Sequence, residues 1–325
     1  MGRSNIFFLL LFVPFLVLAQ YTDVINSNRP GLSVSAYAVG KNVIQAEFGA
    51  LYEQRDHSLL NTTSDIIGAD LSLRYGLLFE QLELNYEGTF ISQNVNFTNF
   101  GTQERRTDFT RNRIGLKYLV YDKYKNPKNN KPNIYSWRAN NVFQLKNLIP
   151  SAISLYGGAT FNLGDNPFYP EIPILSYRGM IATQSKLTPR FVMITNFAYD
   201  RMSSDDPEMS YLVSLQHAFR NPKWSVFLEH QGINSDRYSD LLLRTGIVHL
   251  FNENFQADIV LGTGFKNTPS RMFFSTGFSY RWDFHKDALI PVDKQPKEKI
   301  KRNAMKGKRK KTKKKKGKKK SEFDF

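Results

Sequence analysis

Beyond Gly40 the chain alternates apolar and polar side chains with a period of two. Ile44, Ala46, Phe48, Ala50 and Tyr52 fall on one face, and Gln45, Glu47, Gly49 and Glu53 on the other. A helix would repeat near 3.6, so the pattern predicts extended strands with unlike faces. The same alternation recurs at Leu82, Leu84 and Tyr86 against Glu83, Asn85 and Glu87, and at Ile114, Leu116 and Tyr118 against Arg113, Gly115 and Lys117. The last stretch sets Phe274, Phe278, Tyr280, Trp282 and Phe284 against Ser275, Ser279, Arg281 and Asp283. In all, about 12 segments of roughly 10–14 residues can be drawn, long enough to cross a bilayer at a tilt near 45°.

Alternation alone also fits a soluble sandwich. The segments exceed the usual strand length of about five or six residues, aromatics recur at their ends, and the final strand closes on alternating aromatics. Together with the export signal below, these features favour an all-β, transmembrane antiparallel barrel of about 12 strands over residues 42–284. The short connections at 79–80, 186–189, 220–222 and 252–254 are expected to be periplasmic turns. The connections at 54–65, 94–108, 163–170 and 203–208 are expected to be outer loops. The segment 122–150 breaks this rule. It begins basic and Pro-containing, and 135–148 reads as a short amphipathic helix, either lying in the membrane interface or plugging the lower mouth.

Residues 1–19 carry Arg3, an apolar run over 6–18, and Val17 and Ala19 before Gln20, the pattern of a secretory signal peptide. The run is too short to span about 30 Å of hydrocarbon as a helix. Residues 20–41 form a lead-in to the first strand. The 325 residues contain no cysteine, so neither a disulfide framework nor a thiolate metal site is available. Aromatics reach 14% while the mean hydropathy is negative, which excludes a helical membrane bundle.

The net charge of +16 is concentrated at one end. Residues 286–325 hold 18 Lys/Arg against 5 Asp/Glu, so the rest is close to neutral. This tail, 285–325, lacks the apolar residues to fold and is expected to be disordered and periplasmic. Lys310, Lys311, Lys313, Lys314, Lys315 and Lys316 would meet anionic lipid head groups, peptidoglycan or a protein complex of the periplasm or outer membrane. Phe323 and Phe325 would act as a docking peptide. Export and the absence of interleaved aromatics argue against nucleic acid.

Residues 27–49, SNRPGLSVSAYAVGKNVIQAEFG, open with Asn-Arg-Pro and pass through small residues into Val-Gly-Lys-Asn-Val-Ile-Gln-Ala-Glu-Phe-Gly. This stretch, with the later Ile-Gly-Leu-Lys-Tyr at 114–118, resembles a family of bacterial outer-membrane proteins named for the phenol-degradation meta-pathway. The resemblance covers roughly residues 26–284. It implies a 12-strand barrel that transports small hydrophobic or aromatic compounds, and it does not extend to the Lys-rich tail. The Asn- and aromatic-rich composition suggests a Bacteroidota source.

No catalytic set, metal site or cofactor site emerges. His217, His230 and His249 fall on the lipid face, there is no His-Glu-x-x-His or Gly-x-Ser-x-Gly, and Gly262-Thr263-Gly264 reads as small lumen residues. The inward faces instead carry interleaved charges, and a charge buried from water must be paired or hydrated. The lumen of a 12-strand barrel is narrow, so these charges are expected to fill much of it, with loops setting access. Arg74, Glu87, Arg113, Lys117, Arg178 and Asp258 are the expected lining residues. Two functions follow. One is a passive channel for a small, partly apolar solute. The other is a filled, non-conducting barrel whose tail and 122–150 insertion tether partners or the cell wall.

Overall fold

A computed structural model describes residues 24–125, 131, 133–162, 166–168, 173–202 and 204–285. The expected signal peptide and the Lys-rich tail, including Lys310 to Lys316, Phe323 and Phe325, lie outside the described residues.

Twelve strands form one closed antiparallel barrel. They are β1 (Val43–His57), β2 (Thr62–Gly76), β3 (Leu82–Phe97), β4 (Thr102–Asp122), β5 (Ala152–Phe161) and β6 (Leu175–Lys186), then β7 (Phe191–Asp200), β8 (Glu208–Ala218), β9 (Trp224–Ser235), β10 (Ser239–Asn252), β11 (Phe255–Gly264) and β12 (Ser270–Asp283). Each strand pairs with its sequence neighbours, and β1 closes on β12 with Gly49 opposite Gly277. Closure leaves no unpaired edge, the condition for a sheet to sit in lipid.

The faces follow the alternation. Outward Phe48, Leu71, Leu116, Ile181 and Ile259 are exposed around the wall, while inward Gln45, Arg74, Glu83, Lys117 and Glu229 are buried. An apolar outside around a polar inside is the pattern of a barrel solvated by lipid. His217, His230 and His249 face outward, as the alternation predicts, and stack on aromatic neighbours. His217 lies 4.1 Å from Phe191, His249 4.2 Å from Trp224 and His230 5.6 Å from Tyr211, ring centre to ring centre. Around the end where β1 begins and β12 stops, here the proximal end, Phe251, Phe255, Tyr280 and Trp282 form an aromatic cluster.

Two connections expected as outer loops are mostly strand. β1 and β2 run on to a four-residue turn at 58–61, and β3 and β4 to another at 98–101. Near that second turn the outward positions become polar, at Ser92, Asn94 and Asn96, although the hydrogen-bonded ladder continues. The apolar alternation therefore stops where lipid would stop, and the strands continue as a paired ribbon beyond it. The expected helix over 135–148 is also shorter. One turn, α1 (Trp137–Asn141), is capped by the Ser136 hydroxyl, and a 3-10 turn follows at Leu145–Leu148. Two asparagines weaken the helix interior, and Val142 is already extended.

This insertion packs against the outside of the wall. The Ser185 side chain points outward from β6 but is only 1% exposed, and its hydroxyl donates to the Leu148 carbonyl at 3.0 Å. The Asn147 amide donates to the Leu187 carbonyl at 2.7 Å. Among the described residues, what crosses the lumen is the lead-in, not this insertion.

Candidate functional site

Residues 24–41 thread up into the barrel from the proximal end and return to it. The Ile25 amide donates to the Glu253 carbonyl in the β10–β11 turn. Ser27 and Ser279 share a hydroxyl–hydroxyl bond of 2.7 Å, and the Asn28 amide donates to Glu47 at 3.1 Å. Arg29 then grips Asp258 with two prongs, Nε to Oδ2 at 3.0 Å and Nη2 to Oδ1 at 2.8 Å. At the apex the Leu32 and Ser33 amides donate to the Glu229 carboxylate at 3.0–3.2 Å. Val34 makes a two-way bond with the Asn196 side chain at 2.7 and 2.8 Å. The descent is held by Ser35 donating to Gln184 and by the Val39 amide donating to Glu83. Gly40 (φ 93°) and Asn42 (φ 59°) then turn the chain into β1, a conformation that favours glycine or asparagine.

The segment has no secondary structure of its own, so its backbone donors need partners inside the lumen. Inward carboxylates and amides supply them. Close approach needs small wall residues. A Cβ at Gly49 or Gly277 would collide with the Arg29 guanidinium, and one at Gly31 with the Glu229 carboxylate.

The six residues expected to line the lumen all point inward, but they divide into two groups. Arg74, Lys117 and Asp258 hold the lead-in. Arg74 donates to the Asn26 carbonyl at 2.6 Å and pairs with Glu83 at 2.8 Å. The Lys117 ammonium donates to the Ser35 and Tyr37 carbonyls, each at 3.0 Å, and pairs with Glu83 at 3.1 Å. Arg74, Lys117, Glu83 and Glu229 have almost no surface that water can touch, so the lumen is filled at their level.

Glu87, Arg113 and Arg178 form a second cluster nearer the distal end. Arg113 pairs with Asp200 at 2.9 Å and Glu87 at 3.3 Å, and Arg178 pairs with Asp200 at 3.1 Å. Above it opens a cavity of about 720 Å³ that reaches the distal mouth. Leu32, at the apex of the lead-in, lines it together with Leu51, Ile66, Ile91, Leu212 and Leu242. Ile66, Ile91, Leu212 and Leu242 are buried apolar side chains on the polar face of their strands. Alternation counts them as exceptions to the pattern and so misses them. Arg29 and Asn196, the main anchors of the lead-in, were also missed. The signals for the lead-in were the Asn-Arg-Pro motif just before the first strand and two lumen glycines, Gly49 and Gly277, at one level of the seam.

A barrel wall of twelve strands, an inward-folded segment opening on Asn-Arg-Pro, and a distal cavity set the terms for comparison. Residues 27–282 match the family model described as "Putative MetA-pathway of phenol degradation". The chain belongs to this family. The phenol-degradation family match starts at Ser27, within the segment that fills the lumen, so that segment is part of the family's own pattern.

No curated protein matches the chain. Among solved structures, an outer-membrane channel from Pseudomonas putida F1 is similar at a TM-score of 0.50 and 10% identity, over 79% of this chain and 100% of that one. The NanC porin aligns at 0.46 and 9% over 72% and 98%, and the CymD monoaromatic hydrocarbon channel at 0.39 and 11% over 76% and 90%. The Pseudomonas likeness shows the fold, that of an outer-membrane channel-type barrel.

Proposed function

We propose that the barrel is a passive outer-membrane channel for a small, partly apolar solute. The observation that carries this reading is the division of the lumen. The distal half is a cavity of about 720 Å³ with an apolar floor, and the proximal half is filled by residues 24–41, which are not part of the wall. A solute that enters the cavity meets a segment held by hydrogen bonds and ion pairs, and passage follows when that segment shifts. The family's description supports a solute of aromatic or partly apolar character. In this reading residues 1–19 export the chain, the proximal end and the Lys-rich tail face the periplasm, and the cavity opens outside.

The packing at Arg74, Lys117 and Glu229 favours a second reading, a filled barrel that conducts nothing. Its tail, with Lys310 to Lys316 and the closing Phe323 and Phe325, would then tether anionic lipid, peptidoglycan or a protein complex.

A cysteine-free chain allows a direct test. Ser27→Cys with Ser279→Cys replaces two hydroxyls 2.7 Å apart and creates the chain's only possible disulfide. Flux of a small aromatic alcohol into liposomes is expected with the pair reduced and lost with it oxidised. Equal flux in both states excludes passage past the segment. No flux in either state, from folded and inserted protein, favours the filled barrel.

A further inference from the structure

The distal cavity has a chemistry that the wall pattern does not require. Its lining carries nine Lys and Arg side chains against four Asp and Glu. Several carboxylates that balance them are less exposed than the arginines they pair with. Glu53 is 5% exposed while its partners Arg55 and Arg271 are 34% and 18% exposed, and Asp240 is 7% exposed beside Arg271. A solute in the cavity therefore meets guanidinium groups before it meets carboxylates. Low-dielectric walls of one charge sign focus the field inside such a cleft.

The ion-pair cluster that borders the cavity is also under-satisfied. Arg178 uses Nη1 on Asp200, but among the described residues its Nη2 finds only the Met180 thioether at 3.4 Å, a weak acceptor, and its Nε finds no partner. The Tyr156 hydroxyl, which belongs to a buried residue, has none either. Its ring lies across Gly115 and Gly158, where a Cβ would collide with it. Arginine donors arranged in a fork are suited to a carboxylate. The leucine and isoleucine side chains at the same cavity suit an apolar body.

We infer that the distal cavity binds organic carboxylates with an apolar body, the carboxylate on Arg178 and Arg111, which line the same cavity, and the body against Leu32, Ile66 and Leu242. This inference rests on the channel reading and narrows its solute class. Carboxylate recognition would explain why arginines line a cavity whose floor is apolar. An entirely apolar solute would gain nothing from them, and an inorganic anion would gain nothing from the floor.

The test uses the full chain in lipid nanodiscs and equilibrium dialysis with three probes: 4-phenylbutyrate, its uncharged amide and inorganic phosphate. Saturable binding of 4-phenylbutyrate is expected, at least tenfold tighter than either of the others. Arg178→Gln combined with Arg111→Gln is expected to remove that preference. The wild-type comparison does not depend on the variant folding. Equal binding of acid and amide, or phosphate binding as tightly as the acid, overturns the inference, as does a preference that survives the double substitution in folded protein. If the acid is preferred but the reduced cysteine pair gives no flux, the channel reading fails and the binding site stands. If flux is present without the preference, only the inference fails.

Discussion

Arg29 and Asp258 lie 229 residues apart in sequence and form a two-pronged ion pair inside the barrel, with the carboxylate fully buried. The pair joins the lead-in to β11 and sits over the β1–β12 seam. Removing one member of a buried pair costs about 3–5 kcal/mol, because the other is left charged and unpartnered. Arg29→Ala is therefore expected to release the lead-in while the twelve-strand ladder stays intact. Hydrogen exchange should accelerate across residues 24–41 but not in the strands, and single-channel recordings should show larger or more frequent openings. Unchanged protection of the lead-in would mean that Arg29 does not hold it.

Gly49→Ala tests the same joint from the wall. The added methyl enters the space of the Arg29 guanidinium, which provides all three of its nearest contacts. The variant should resemble Arg29→Ala in exchange and conductance. In an Arg29→Ala background the extra methyl should do almost nothing, because residues in contact give non-additive effects. Additive effects in this double-mutant cycle would show that Gly49 serves some other purpose.

Glu229→Gln addresses the apex. The carboxylate accepts from the amides of Leu32 and Ser33 and pairs with Arg244 at 3.2 Å. Charge-assisted bonds are stronger than neutral ones, and the loss should be about 1–2 kcal/mol. Exchange at the two amides should rise about tenfold, which is what 1.4 kcal/mol gives. The amides of Val39 and Lys41, held by Glu83 and Glu80, should change less.

The wall was legible in the sequence because two solvents write on it. Lipid requires apolar side chains outward and the lumen permits polar ones inward, so strands and faces could be drawn from alternation, and the proximal turns from the short connections between the strands. The lead-in was opaque for the opposite reason. It has no periodicity, and Ser33, Ser35 and Asn28 are small or polar residues of the kind found in any loop. Its order comes from contacts with Glu229, Asn196 and Gln184, which become neighbours only when the barrel closes. The six expected lumen residues were placed on the right face by register. That Arg74, Lys117 and Asp258 would be occupied, and Arg113 and Arg178 would border a cavity, depended on that same unseen segment. Polar stretches of β3 and β4 were read as loop because lipid, not hydrogen bonding, had set the pattern used to find strands.

The insertion after β4 makes a prediction about the membrane surface. It packs on the outer wall at Ser185, its Trp137 is 75% exposed, and Arg138 and Lys146 accompany exposed Leu145 and Leu148. Aromatic and basic side chains together favour the bilayer interface. With Trp224 and Trp282 changed to Phe, Trp137 fluorescence should be quenched by lipids brominated near the head group and less by lipids brominated deep in the chain. No quenching by either would place the insertion in water.

The glycine pair at the seam also bears on how the barrel checks itself during assembly. A closing strand that slips by two residues keeps every side chain on its proper face, so alternation does not resist the error. Such a slip would place Ser275 or Ser279 opposite Gly49 where Gly277 belongs. The notch for Arg29 would then be narrowed by a side chain, and the arginine would lose its seat. The lead-in finds its full set of partners only on a ring closed in the right register, so the residues that precede β1 test the joint that β1 makes with β12.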